Sequence, residues 1–185
     1  ADLIELTSIS SPPIVDIVEQ MLVNSDNTTA ELLLKEIAVV GGSVGSTTAG
    51  AIAVRELISA SGLPNGGVFN EDGSGLSESN TLTCALVHAT LDDPAHKGEL
   101  RDAMAVAGES GTLADSFIGS AFEGALRAKT GFLATVSALS GYYVTDRGVE
   151  VTFSLIVNTA DENPISEAMI AGWQAPLPDI LSSYP

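Results

Sequence analysis

Residues 127–141 read RAKTGFLATVSALSG, and this stretch decides the fold. Upstream of Leu126 the apolar residues recur at helical spacing, whereas from there on the period is two. Residues 135–145 and 149–158 are rich in β-branched and aromatic side chains, which suit a pleated, half-buried surface. Asp146-Arg147-Gly148 between them reads as a hairpin turn. Residues 125–133 read as the neighbouring strand, which puts Lys129-Thr130-Gly131 on a strand.

The chain before that point reads as helices. Ser11 caps a first helix and Pro12 and Pro13 open it, their missing N–H groups being harmless in a first turn. Ile14, Val15, Ile17, Val18, Met21 and Leu22 form its apolar stripe, and Asn24 and Ser25 break it. Asn27 or Thr28 caps a second helix, with Thr28-x-x-Glu31 as a capping box and Gly41-Gly42 as its end. Ser25-Asp26-Asn27 is thus predicted in a short connection between two helices. A third helix spans 47–60, capped by Ser46 and closed by Gly62; after a loop over 65–75, a fourth spans 79–90. Asp92-Asp93-Pro94 reads as a solvated turn, residues 98–104 as a short helix, and residues 164–173 as a last helix packed on the sheet. Tyr142, Tyr143 and Trp173 are expected in the core or on a sheet face. Helices followed by strands predict one α+β domain over residues 1–185.

Composition narrows the function. Of 185 residues 45% are hydrophobic, enough for a real core and too many for disorder. The formal net charge is −17, from 24 acidic against 7 basic residues, so phosphate backbones and anionic lipid are repelled. Nucleic-acid binding is disfavoured, and the plain reading of the charge is solubility. Cys84 is the only cysteine, which rules out an intrachain disulfide and fits either the cytosol or a secreted protein. Its apolar neighbours predict a buried structural thiol. Residues 1–5 lack the basic start and apolar run of a secretory leader, and residues 38–54 fall short of the ~20 apolar residues of a membrane span. His88 and His96 have no metal or triad spacing, and Ser74 in Gly73-Ser74-Gly75 reads as a loop serine because it lacks the full Gly-x-Ser-x-Gly elbow.

Chemistry concentrates in Ser25-Asp26-Asn27 and Lys129-Thr130-Gly131. Acyl transfer needs a nucleophile, a base, a proton path, an oxyanion hole and a grip on substrate. The Ser25 hydroxyl both accepts and donates, which suits a proton path. Asn27 carries an amide able to hold a peptide group. Lys129 is a compact cation that attracts a carboxylate and eases deprotonation of nearby hydroxyls. Thr130 can hydrogen-bond that carboxylate, Gly131 lets an extended peptide approach an edge strand, and the Phe132 N–H is a candidate oxyanion donor. A fixed triplet arises by chance in about one chain in forty of this length, so the ordered pair carries the argument rather than either member.

These triplets are two of the three motifs of penicillin-interacting serine enzymes; the third, Ser-x-x-Lys, is absent, since Leu32, Pro94 and Leu126 stand three residues before the only lysines, Lys35, Lys97 and Lys129. Ser11-Pro12-Pro13-Ile14, residues 24–31, 72–77, 104–108 and 111–113, and 127–141 together resemble the serine-type D-alanyl-D-alanine carboxypeptidase/endopeptidases, the class C low-molecular-mass penicillin-binding proteins. Glu78 stands where that family often has arginine, and Phe132 where threonine is common. The resemblance implies a penicillin-binding-protein/β-lactamase-like transpeptidase fold, an antiparallel sheet flanked by helices, and a bacterial cell-envelope enzyme, periplasmic or extracellular, using neither metal nor organic cofactor. It implies peptidoglycan stem peptides as substrate and β-lactams as ligands. By it, Ser25 and Asn27 fall in the second motif, and Lys129, Thr130 and Gly131 in the third. It further implies that this chain is the C-terminal portion of a catalytic domain whose nucleophile lies upstream, inactive by itself and associating with that N-terminal half or with itself. The alternatives are a non-catalytic peptidoglycan-peptide binding or scaffolding module, and an α+β domain with coincidental triplets.

Overall fold

The computed structural model describes residues 6–160 and 163–184. Residues 1–5, read above as lacking a leader, lie outside them. Three helices come first: α1 (Ile14–Asn24), α2 (Asn27–Val40) and α3 (Thr47–Ala60). Two short helices follow, α4 (Cys84–Leu91) and α5 (Lys97–Asp102). A two-residue strand β1 (Ala105–Val106) leads into a 3-10 turn at Gly111–Leu113. Then come β2 (Leu126–Phe132), β3 (Val136–Val144), β4 (Glu150–Asn158), α6 (Glu167–Gln174) and α7 (Leu177–Ser182). The strands form one antiparallel sheet in the order β1-β2-β3-β4.

β3 is central, and every residue from Leu139 to Tyr143 is buried. Side chains alternate between the two faces of a strand, so this burial requires a cover on each side. On one side Leu126, Ala128, Leu139, Tyr143 and Phe153 pack with Leu113, Phe122 and Leu177. On the other, Tyr142 packs with Leu91 and Met104, and its hydroxyl donates to the Leu91 carbonyl at 2.7 Å. A buried phenol needs that partner. Lys97 joins Asp92 and Glu150, and Arg101 joins Glu150, so α4, α5 and β4 are also linked by ion pairs at the rim.

The strand expectations agree with the observed strands to within a residue or two at each end, including the turn at Gly148, which has φ +75°. Several helix expectations need correction. The residue capping α1 is Pro13, not Ser11, and no side chain caps it. Asp26 caps α2, not Asn27 or Thr28; Glu31 leaves the capping box and accepts the N–H groups of Gly73 and Ser74, both at 2.9 Å. The fourth helix begins at Cys84 rather than residue 79, because Thr81 pairs with Phe69 and Thr83 supplies the cap. Cys84 is consequently exposed at a helix start instead of buried. The helix expected over 164–173 begins at Glu167, and a further helix, α7, follows it after Ala175-Pro176.

Two glycines give opposite predictions. A Cβ on Gly141 would lie 2.1 Å from the Arg127 carbonyl oxygen and 2.6 Å from the Ala128 Cα, whereas one on Gly172 in α6 meets nothing within 4 Å. Gly141→Ala should destabilise by about 1–3 kcal/mol through overpacking of the β2–β3 pair. Gly172→Ala should stabilise by about 0.4–1 kcal/mol through the unfolded chain. Thermal unfolding of the two variants measures both signs.

Candidate active site

The Ser25-Asp26-Asn27 triplet does three local jobs in three residues. Ser25 is the C-cap of α1 in left-handed conformation, φ 54° and ψ 48°, and its N–H closes on the Met21 carbonyl. Asp26 is the N-cap of α2, accepting the Thr28 and Thr29 N–H groups at 2.9 and 3.2 Å and the Thr29 hydroxyl at 2.8 Å. Those bonds, the Thr29 hydroxyl first, hold its carboxyl below the usual aspartate range. Asn27 is the first residue of α2, with its side chain exposed. Two helices thus meet across only two linking residues, and the sharpness of the turn comes from Ser25. A left-handed serine is disfavoured by ~1–2 kcal/mol relative to the right-handed form.

What Ser25 gains is a partner on the sheet. Lys129 Nζ donates to Ser25 Oγ at 2.8 Å, across 104 residues of sequence, and to the Thr130 carbonyl at 2.7 Å. Partial burial pushes the Lys129 ammonium below the ordinary lysine pKa. The strand register explains why these groups converge. Leu133 and Val136 exchange both backbone hydrogen bonds, and Val144 N–H bonds Ala125, so odd-numbered residues of β2 face β3. The N–H and C=O groups of Thr130 and Phe132 therefore point off the other edge. β1 covers that edge only opposite Arg127 and Ala128, and Leu126 bonds Ala107 there, which leaves the edge open from Lys129 to Phe132. Phe132 itself is 62% exposed. Gly131 has room for a methyl group, whose nearest neighbour would be the Ala138 Cβ at 3.4 Å. The interior does not demand a glycine there.

The structure therefore brings Ser25, Lys129 and Thr130 together and sets Gly131 and Phe132 on the adjoining open edge, with Asn27 two residues from Ser25. One neighbour went unassigned in the sequence: Thr112, whose Oγ1 lies 3.1 Å from Thr130 Oγ1. Its stretch, Gly111-Thr112-Leu113, was visible as a resemblance, but no spacing rule ties it to β2. Among the described residues no group of three His, Cys, Asp or Glu is placed to hold a metal, and no helix is long and apolar enough to cross a membrane.

Helices flank an antiparallel sheet, and a lysine on its open strand reaches a serine between two helices. The chain belongs to the D-Ala-D-Ala carboxypeptidase 3 (S13) family, which it matches over residues 3–177. It is 34% identical over 169 residues to a carboxypeptidase of Mycobacterium tuberculosis, covering 86% of this chain and 36% of the relative. It is 36% identical over 169 residues to the D-alanyl-D-alanine carboxypeptidase of an Actinomadura species, covering 82% of this chain and 31% of the relative. The crystal structure of penicillin binding protein 4 from Haemophilus influenzae superposes with a TM-score of 0.83 at 27% identity, over 93% of this chain and 40% of that one. A second structure of that protein, complexed with a novel β-lactam, also gives 0.83. The chain spans about a third of the length of these curated relatives.

Two outcomes follow from the Ser25–Lys129 contact. Ser25→Gly and Ser25→Ala both lose the hydroxyl that accepts from Lys129, but glycine takes the left-handed conformation freely, so Ser25→Ala should unfold below Ser25→Gly. For Lys129, the folded state binds fewer protons than the unfolded state between its lowered pKa and the ordinary lysine value. Stability should therefore rise with pH across that window, and the rise should vanish in Lys129→Met. Chemical denaturation at stepped alkaline pH measures the difference.

Proposed function

We propose that this chain is the C-terminal portion, a single structural unit over residues 1–185, of the catalytic domain of a serine-type D-Ala-D-Ala carboxypeptidase/endopeptidase. On this reading it acts on peptidoglycan stem peptides in the bacterial cell envelope. The observation that carries the proposal is the 2.8 Å contact of Lys129 Nζ with Ser25 Oγ, which joins the two triplets into one site. The nucleophilic hydroxyl comes from a Ser-x-x-Lys segment outside this chain, and without it the chain does not form an acyl-enzyme.

The roles follow from donor and acceptor chemistry. The stem peptide extends along the open edge of β2, where Gly131 allows close approach and Asn27 holds a peptide group from the opposite side. Lys129 and the Thr130 hydroxyl take the terminal carboxylate. When the upstream serine attacks, its proton passes to the lysine of the same Ser-x-x-Lys segment, the new C–O bond forms and the carbonyl oxygen becomes an oxyanion, which the Phe132 N–H helps hold. As the C–N bond breaks, the leaving amine takes a proton delivered through Ser25, whose hydroxyl accepts from Lys129 and donates onward. Water then hydrolyses the acyl-serine ester. A β-lactam offers the same carboxylate and a strained amide, so it acylates the same serine. Exposed apolar side chains on the first three helices, among them Ile14, Leu32, Ile52 and Leu57, support association with the upstream segment or with a second copy.

Intact-mass analysis after incubation with benzylpenicillin tests this. The chain alone should carry no adduct. With the upstream Ser-x-x-Lys segment added, the adduct should sit on that segment, and Lys129→Ala should slow its formation by about 10²–10³-fold, the scale of a lost electrostatic donor. An adduct on the chain alone would place a nucleophile within it, and no adduct in either mixture would leave a peptide-binding module without chemistry.

A further inference from the structure

Thr112 sits where it does because its turn is fastened on three sides. Val106, at the end of β1, donates to Ser110 Oγ at 2.9 Å and accepts from the Ser110 N–H at 3.0 Å. Gly108 N–H donates to the Leu113 carbonyl at 2.9 Å, and the Leu113 side chain is buried in the main core. Gly111, at φ 54°, packs so closely on the end of α1 that a Cβ would lie 2.2 Å from the Val23 carbonyl oxygen. Val23 is two residues before Ser25. The turn is thus a rigid spacer between the helix end that carries Ser25 and the strand that carries Thr130, and its one exposed hydroxyl meets Thr130.

That contact constrains protons. Thr130 Oγ1 donates to Thr112 Oγ1 at 3.1 Å. A hydroxyl has one proton, so a Thr130 that donates to Thr112 has none left for a carboxylate. When a carboxylate occupies the edge, Thr130 turns its proton to the anion and Thr112 donates to the vacated Thr130 oxygen. Hydrogen bonds in such a chain polarise one another, so the second donor strengthens the first. We infer that Thr112 is a positioning residue for carboxylate recognition: it accepts from Thr130 in the empty site, donates to it in the occupied one, and holds the Thr130 hydroxyl at the open edge of β2 in both states. The inference rests on the carboxylate role given to Thr130 above.

The test uses this chain together with its Ser-x-x-Lys segment and two peptides ending in D-Ala-D-Ala, one with a free carboxylate and one amidated. Thr112→Val keeps the side-chain shape and removes the hydroxyl. It should raise KM for the free carboxylate about five- to tenfold, leave kcat within about twofold and leave the amidated peptide unchanged, and Thr112→Ser should restore wild-type values. A Thr112→Val that lowers kcat on both peptides alike, or matches wild type on both, overturns the role of Thr112 alone. Failure of Thr112→Ser to restore the KM does the same. A wild-type enzyme that does not distinguish carboxylate from amide overturns the reading of Thr130 as well, and Thr130→Val separates that case by leaving both peptides unaffected.

Discussion

The geometry of the site depends on one partly buried ammonium that bridges a helix end and the sheet. Lys129 rides on a strand paired to β3 over its whole length, and Ser25 ends a helix with no buried residue of its own. Pairing with β3 fixes the position of Lys129, whereas α1 is placed by the contacts at its end. The 2.8 Å contact is the point at which the helix end is referred to the sheet. Two other features hold it there: the Gly111 turn pressed against Val23, and the loop after α3 roped to α2 through Glu31. Burial alone raises the Glu31 pKa, yet the Ser74 and Gly73 donors outweigh it and hold the group below its ordinary range. That carboxylate is accordingly ionised and tied at neutral pH.

The sheet was legible in the sequence because its signals are local and redundant. Alternation, β-branched composition and a glycine-bearing turn all point to the same three strands, and tertiary packing has nothing to overrule. Helix starts were less legible, for a specific reason. Ser, Thr, Asn and Asp crowd every boundary in this chain, and any of them can cap. Which one does depends on what else competes for it. Thr28-x-x-Glu31 has the form of a capping box, but Glu31 is drawn to a loop more than forty residues away. Ser79, Asn80 and Thr81 can each cap a helix, but a bridge to Phe69 holds Thr81 extended and Thr83 takes the cap. Cys84 then falls on the first turn of α4 and in solvent, where an apolar sequence neighbourhood had suggested the interior.

The candidate site divides in the same way. Ser25 and Lys129 could be found because two short motifs name them, and their meeting at hydrogen-bond distance was no part of either motif. Thr112 could not be assigned from the sequence: it lies in a three-residue 3-10 turn with no periodicity, and its significance is a distance to a side chain 18 positions away. β1 was missed for a related reason. Two residues carry no alternation to detect, yet their shortness leaves β2 open from Lys129 onward.

The formal net charge of −17 opposes the carboxylate proposed for this site, and solvent limits that opposition. Exposed charges farther than about 8 Å apart are largely screened at physiological ionic strength. Asp26 stands next to Ser25, and its oxygens are engaged by Thr28 and Thr29. Lys129 is half-buried, where its field is screened less than that of a surface lysine. Burial also depresses the Lys129 pKa, and this gives a reason for the geometry around it: the Ser25 hydroxyl and the Thr130 carbonyl each accept from the ammonium and so favour the charged form that desolvation opposes.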